Sequence, residues 1–420
     1  MKHTTKTLPN GLRTVSIEDK DSLSVTILIL VNTGSRFEKA EEAGIAHFVE
    51  HTIFKGTKKR QDVHKIGMEV ELLGAKMNAF TSFDYTGYYI KCPKENFEKA
   101  FEVLSDMFLN SLFRDKDINK ERGVILEEMR MYEDQPMEKI HSVFAEMLYG
   151  KHPLGRDIIG TEDTVGSVKQ KAFKDFIGKF YNAKNIVVSV AGGVKEAEVT
   201  SQVEKYFSDV ETGEENRVLE EFSTSETPQV KISNVQKPIS QSHFIIGGFV
   251  PGRVDKDRKY ILKVANTLLG RGFGSKLFQE IREKHGLAYY VYSSIDRFEE
   301  IGYFKVAMGV ENTKKQIAVD GVLKQLEAMK NGDFSKDELD RAKNYMIGGL
   351  SLDLESTDQV ALWYGSQLLL EKSLVEIEKV KNLIQNVNKD TIVSVCGEIF
   401  NPANIFLAGV TPHKKLEINL

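Results

Sequence analysis

Three residues in the stretch GIAHFVEHTIFKGT carry the first chemical signal: His47, Glu50 and His51. A helix advances about 100° per residue, so positions i, i+3 and i+4 share one face. Two imidazoles one turn apart can both reach a zinc ion at about 2.0–2.1 Å; a hydrolytic site needs a third protein ligand and a fourth position left open. A second helical stretch, ERGVILEEM, offers two carboxylates for that place. Glu121 and Glu128 lie seven residues apart on one face, and either can supply the ligand, while Glu127 points about 100° away from Glu128. The chemistry implied is hydrolysis. Zinc brings the pKa of water toward ~7 and polarises a carbonyl. Glu50, between the two histidines, can take the water's proton and hand it to a leaving amine.

Taken alone, HFVEH is also an ordinary amphipathic pattern, and an internal duplication tips the balance. FYNAKNIVVSVAGGV (180–194) matches FNPANIFLAGV (400–410). DKDINKERGVILEEM (115–129) matches SKDELDRAKNYMIGGL (335–350), and LILVNTGSR (28–36) resembles GGFVPGR (247–253). Three matches in one order at a nearly constant offset indicate two domain-sized copies rather than a short-period solenoid. In the second copy Ala342 stands opposite Glu121 and Gly349 opposite Glu128, and the early helix around VANTLLGRGFGSKLF has no histidine. A site kept in only one copy explains that asymmetry; fold stability does not.

The elements that must position these residues follow from pattern. SVTILILV (24–31), TGYYIKCP (86–93) and NIVVSVAG (185–192) read as strands. Residues 38–55, 62–74, 95–111 and 117–133 have helical periodicity, and Asp115 and Ser335 are candidate N-caps of equivalent helices. The expected fold class is α+β: two homologous domains, each a mostly antiparallel sheet packed with helices. The expected boundaries are 1–210 for the metal-bearing domain, the acidic, polar stretch 211–229 as linker, and 230–420 for the second copy. A net charge of -4 offers no broad attraction to nucleic acid or anionic membrane, and no apolar run is long enough to span a bilayer. The polar start MKHTTKTLPNG is unlike a secretory signal, and the widely separated Cys92 and Cys396 suggest neither a disulfide framework nor a cysteine metal site. A cytoplasmic protein is expected.

HFVEH, GSRFEKAEEAGIAHFVEHTIFKGT, GAKMNAFTS, ERGVILEEM, HPLG (152–155) and REKHGLAYYVYSS (282–294) fall in one order along the whole chain. Together they resemble the pitrilysin-type, or inverzincin, zinc metallopeptidases. In size and layout the chain is similar to the mitochondrial processing peptidase β subunit and its bacterial homologues. The resemblance implies a clamshell of two domains around a chamber, one zinc per chain held by His47, His51 and Glu128, Glu50 as general base, and Glu121 supporting the ligands. It also implies that Arg282 and Tyr289 of the second copy bind substrate backbone and the oxyanion, a task suited to such donors. Their spacing of seven puts them on one face if the segment is helical up to the tyrosine, whereas Tyr290 and Tyr292 read as strand packing. MNAFTSFDYTGYY (77–89) reads as an extended strand. The resemblance makes it the edge to which substrate adds, with Asn78 and Ala79 as contacts; such pairing selects extended peptides.

Processing peptidases carry two acidic residues, four apart, that read an arginine near the cleavage site. Glu138 matches the first, but the second position is Ser142, which weakens the expectation of presequence selectivity; Glu133 and Asp134 are possible substitutes. LLGRGFGSKLF lacks the pattern of a phosphate loop and reads as a close helix approach or a loop. The competing readings are a catalytically dead relative and a zinc hydrolase of a non-peptide amide. Because all the zinc-type residues persist beside the Arg/Tyr pair, a zinc endopeptidase acting on peptides, as a homodimer, is the expectation.

Overall fold

The computed structural model describes residues 2–222 and 230–420, so residues 223–229 of the expected linker 211–229 lie outside the described residues. The chain forms two compact units. The first comprises Met1–Arg130, Asp157–Leu219 and Leu352–Ile377, and the second comprises Met131–Arg156, Glu220–Ser351 and Glu378–Leu420.

The first unit is built on six strands: β1 (His3–Thr7), β2 (Arg13–Glu18), β3 (Ser24–Val31), β4 (Lys76–Thr81), β5 (Thr86–Pro93) and β6 (Ile186–Gly192). Their order is β1-β2-β6-β3-β5-β4, antiparallel except for β2 against β6. The second unit holds β7 (Ile232–Gln236), β8 (Gln241–Pro251), β9 (Ala288–Arg297), β10 (Ile301–Glu311) and β11 (Phe406–Thr411), in the order β7-β11-β8-β10-β9. Here only β11 against β7 is parallel. The second order reproduces β2-β6-β3-β5-β4 of the first, so the duplication is visible in topology as well as in sequence.

Strand β3 is buried along nearly its whole length, with both faces covered. Val25, Ile27, Ile29 and Val31 face a core that includes Phe48 and Val49 of helix Ile45–Ile53 and Phe101 and Leu104 of helix Phe97–Asn110. The opposite face of the sheet is covered by helix Thr357–Leu370. Ser189 donates to the Ala361 carbonyl at 2.7 Å, the Thr26 and Thr357 hydroxyls are 2.8 Å apart, and a Cβ on Gly365 would meet Leu30 at 2.9 Å. That helix comes from the second half of the sequence. Its counterpart in the first half, Pro136–Tyr149, packs instead on β7, β8 and β11, with Phe144 edge-on to Tyr303 at 5.7 Å. Each unit is therefore completed by one helix from the other half of the sequence.

Three local expectations change. The helix expected over 38–55 is confined to Ile45–Ile53, because Gly44 at φ 94° is left-handed and breaks the run. Residues 77–89 are not one strand but the β4–β5 hairpin, turned at 82–85 by the Ser82 hydroxyl, which donates to the Tyr85 carbonyl at 2.7 Å. Asp115 is the first residue of its helix, Asp115–Asp134, rather than a cap, whereas the Ser335 hydroxyl does cap helix Lys336–Asp353 by accepting from the Glu338 amide at 3.1 Å.

Candidate metal centre

Helix Ile45–Ile53 is fixed by its apolar side and its N-terminus. Ile45, Ala46, Phe48, Val49 and Ile53 are buried, which leaves His47, Glu50 and His51 on the remaining face. At the start, Glu38 accepts hydrogen bonds from the amides of Gly44 (2.8 Å) and Ala46 (2.7 Å). A buried carboxylate thus satisfies two otherwise unpaired helix N–H groups at the positive end of the dipole. In helix Asp115–Asp134 the buried stripe is Ile118, Glu121 and Ile125. Packing that stripe inward turns Glu121 and, two turns on, Glu128 toward the histidines.

The imidazoles of His47 and His51 have centroids 4.5 Å apart. Glu128 Oε2 lies 3.9 Å from His47 Nε2 and 3.5 Å from His51 Nε2, and one ligand atom from each residue falls within 4.8 Å of the others. Around a tetrahedral zinc with bonds of about 2.0–2.1 Å, neighbouring ligand atoms sit about 3.4 Å apart. The separations to Glu128 are too long for ordinary hydrogen bonds and close to that spacing. Two nitrogens and a carboxylate are also the donors that zinc takes, so the residues fit this ion.

Electrostatics support the same arrangement. Burial, and then the charge of neighbouring His51, push His47 down to about 3, so its ring is neutral near pH 7, as a ligand must be. Burial opposes charge on His51, but Glu121, Glu128 and Glu50 outweigh it and hold its pKa up. The buried Glu121 carboxylate reaches His51 Nδ1 at 3.5 Å and Lys55 Nζ at 2.8 Å. Burial raises Glu121, but His51 and Lys55 together bring it below the ordinary carboxylate range. Burial lifts Glu50, and the Thr81 hydroxyl, which donates to Glu50 Oε2 at 2.5 Å, partly offsets the rise.

Lys55 and Thr81 escaped the sequence reading. Lys55 follows His51 by four residues, a spacing that would have found it. Thr81 is brought to Glu50 only by tertiary structure, with no local sequence signal. Glu127 is exposed and paired with Arg130 at 2.5 Å, away from the centre, as its helical phase requires.

Asn78 and Ala79 lie in the same unit on β4, a sheet edge that among the described residues pairs only with β5. The Asn78 side chain is exposed, and its oxygen accepts from the Ala79 amide at 2.9 Å. Arg282, Tyr289 and Glu138 belong to the second unit. Arg282 and Tyr289 do not share a helical face: the helix Phe278–Lys284 ends before Gly286 (φ 55°), and Tyr289 stands on the edge strand β9. Tyr289 is 75% exposed, and the Arg282 guanidinium lies 5.1 Å over the Phe278 ring. Tyr290 and Tyr292 instead meet His243 (3.0 Å) and His141 (3.3 Å). Glu138 is exposed, whereas Glu133 is already paired with Lys139 and Lys237, each at 2.7 Å.

Comparison with known proteins gives a consistent result. Residues 13–162 match the insulinase model of peptidase family M16, and residues 167–346 match the M16 inactive domain. An uncharacterised zinc protease of Bacillus subtilis is 34% identical, the match covering 94% of this chain and 95% of that one. One from Streptomyces coelicolor is 33% identical, covering 94% and 86%. Among solved structures, a protease from Helicobacter pylori superimposes with a TM-score of 0.89 at 26% identity, covering 98% of this chain and all of that one. An M16 inactive-domain structure from Pseudomonas fluorescens, at 18% identity, has the same fold with a TM-score of 0.91 over the whole of both chains.

Proposed function

Because this chain belongs to peptidase family M16, we propose that it is a zinc-dependent endopeptidase acting on short, extended or unfolded peptides. The observation that carries the reading is the convergence of His47, His51 and Glu128, with Glu50 on the same helical face. These three residues would hold one zinc ion per chain. Bound there, zinc supplies Lewis acidity, polarising a scissile carbonyl and making water acidic enough to react near neutral pH. Glu50 acts as general base: burial makes its carboxylate a better proton acceptor, and it returns the proton to the leaving amine. Glu121, ionised by its contacts with His51 and Lys55, orients the His51 ring.

Substrate adds as a further strand on the open side of β4, beside Asn78 and Ala79, and backbone pairing of that kind excludes folded proteins. Arg282 and Tyr289 bind substrate backbone and the oxyanion. Their solvent exposure on the second unit supports this role, and donors of this type stabilise charge that develops in the transition state. Glu138 reads a basic side chain, more weakly than in a processing peptidase because Ser142 replaces the second acid. No helix among the described residues is long and apolar enough to cross a membrane. The proposed form is a cytoplasmic homodimer. The test is Glu50→Gln: zinc content should stay near normal while peptide hydrolysis is lost. Near-normal turnover by that variant would sink the assignment.

A further inference from the structure

We propose that Thr81 is a positioning residue for the general base, so that the strand receiving the substrate also fixes Glu50; the proposal rests on Glu50 being that base. Met77 and Ala79 pack against the core of the first unit, and Thr81, two residues on, shares their side of β4. Its hydroxyl donates to Glu50 Oε2 at 2.5 Å. Among the described residues Glu50 has no other hydrogen-bond partner, so one carboxylate oxygen is held and the other is left to take a proton. A hydrogen bond to an ionised acceptor is about twice as strong as a neutral one, and a β-branched side chain is stiff at χ1.

Thr81 is itself held firmly. It forms the last ladder pair of the hairpin, opposite Thr86. The turn beyond it is clamped by the loop after β3: the amides of Ser35 and Arg36 donate to the carbonyls of Ser82 (3.1 Å) and Phe83 (3.2 Å). Arg36 and Asp84 form a buried ion pair at 3.2 Å, 1% and 6% exposed. Gly34 must lack a side chain, since a Cβ there would stand 2.1 Å from the Ser82 carbonyl oxygen. Peptide pairing along residues 77–79 and the hold on Glu50 are thus carried by one rigid element. A substrate that seats fully on β4 meets a base already in place.

The experiment compares Thr81→Val, which keeps the shape and loses the hydroxyl, with Thr81→Ser, which keeps the hydroxyl, alongside Glu50→Gln. Thr81→Val should lower kcat roughly ten- to hundredfold, the worth of one hydrogen bond to a charged group, with KM within about twofold. Zinc content and melting temperature should not change, and Thr81→Ser should work nearly as well as the parent. An unchanged kcat for Thr81→Val beside an inactive Glu50→Gln overturns this proposal alone, as does a Thr81→Ser as poor as Thr81→Val. If Thr81→Val loses zinc or melts early, Thr81→Ala against Thr81→Ser decides: a working Ser and a failing Ala support the proposal, and equal kcat overturns it. An active Glu50→Gln strikes instead at the underlying assignment of the base.

Discussion

Replacing Arg60 by Met should destabilise the first unit by about 3 kcal/mol, the lower end of what breaking a buried ion pair costs. The Arg60 side chain is wholly buried and sits just past the metal-bearing helix. It bonds Glu69 at 2.8 Å, Glu102 at 2.8 Å and Asp106 at 2.7 Å, and its carbonyl accepts from Thr57 at 2.6 Å. The lower end is chosen because the partners are not all stranded. Glu102 keeps Lys59 (2.5 Å) and Lys99 (2.8 Å), and Asp106 keeps the Thr57 hydroxyl at 2.7 Å. In a unit of this size that loss corresponds to a fall in melting temperature of about 6–12 °C. Chemical or thermal unfolding of the zinc-loaded protein at pH 7 measures it. The acid side supplies a second readout. Burial works to raise Glu102, but Arg60, Lys59 and Lys99 overcome it and bring its pKa from 4.5 to about 2. A carboxyl with a depressed folded pKa stabilises above its unfolded value, and that contribution disappears as pH falls through the folded one. Stability should therefore drop between pH 4.5 and 2, less steeply in Arg60→Met. A variant within 1 kcal/mol of the parent at pH 7, with the same acid profile, refutes the reasoning.

Glu128→Gln should weaken zinc binding, measured by chelator competition, by more than the ~10–100-fold that loss of a supporting contact costs, and Glu121→Gln by about that amount; equal zinc affinity in both variants and the parent would remove Glu128 from the ligand set. Tyr289→Phe should lower kcat by ~10²–10³ with zinc content and folding unchanged, and a kcat near the parent's would leave the second copy without a part in the chemistry.

What the sequence made legible was what depends on short-range geometry. The one-face spacing of His47, Glu50 and His51 needs only a helix, and the buried runs of β3, β5 and β6 announce themselves by composition. Periodicity did not separate Glu121 from Glu128, because seven residues return each to the same stripe. The difference lies in depth: Glu121 is buried against His51 Nδ1 and Lys55, and Glu128 faces both Nε2 atoms. The hairpin at 77–89 was missed because its turn, Ser82–Phe83–Asp84–Tyr85, has no Gly or Pro and is stabilised by a serine hydroxyl and by a distant loop. The helical path from Arg282 to Tyr289 failed at Gly286, whose positive φ turns the chain into β9. Which sheet the helix Pro136–Tyr149 covers was not legible at all, since an amphipathic face specifies that it must be buried but not against what.

That last feature bears on how the protein is made. When β6 ends at Gly192, the first sheet is complete in strands, yet the helix that covers its outer face runs from Thr357 to Leu370, and Leu370 lies 178 residues further on. At about 5–20 residues per second of synthesis, that face stays bare for roughly 10–40 s on the ribosome. The bare surface includes Leu28 and Leu30 of a strand with an aggregation-prone composition, SVTILILV. Leu28 and Leu30 thus gain their native cover only when the last quarter of the protein has emerged.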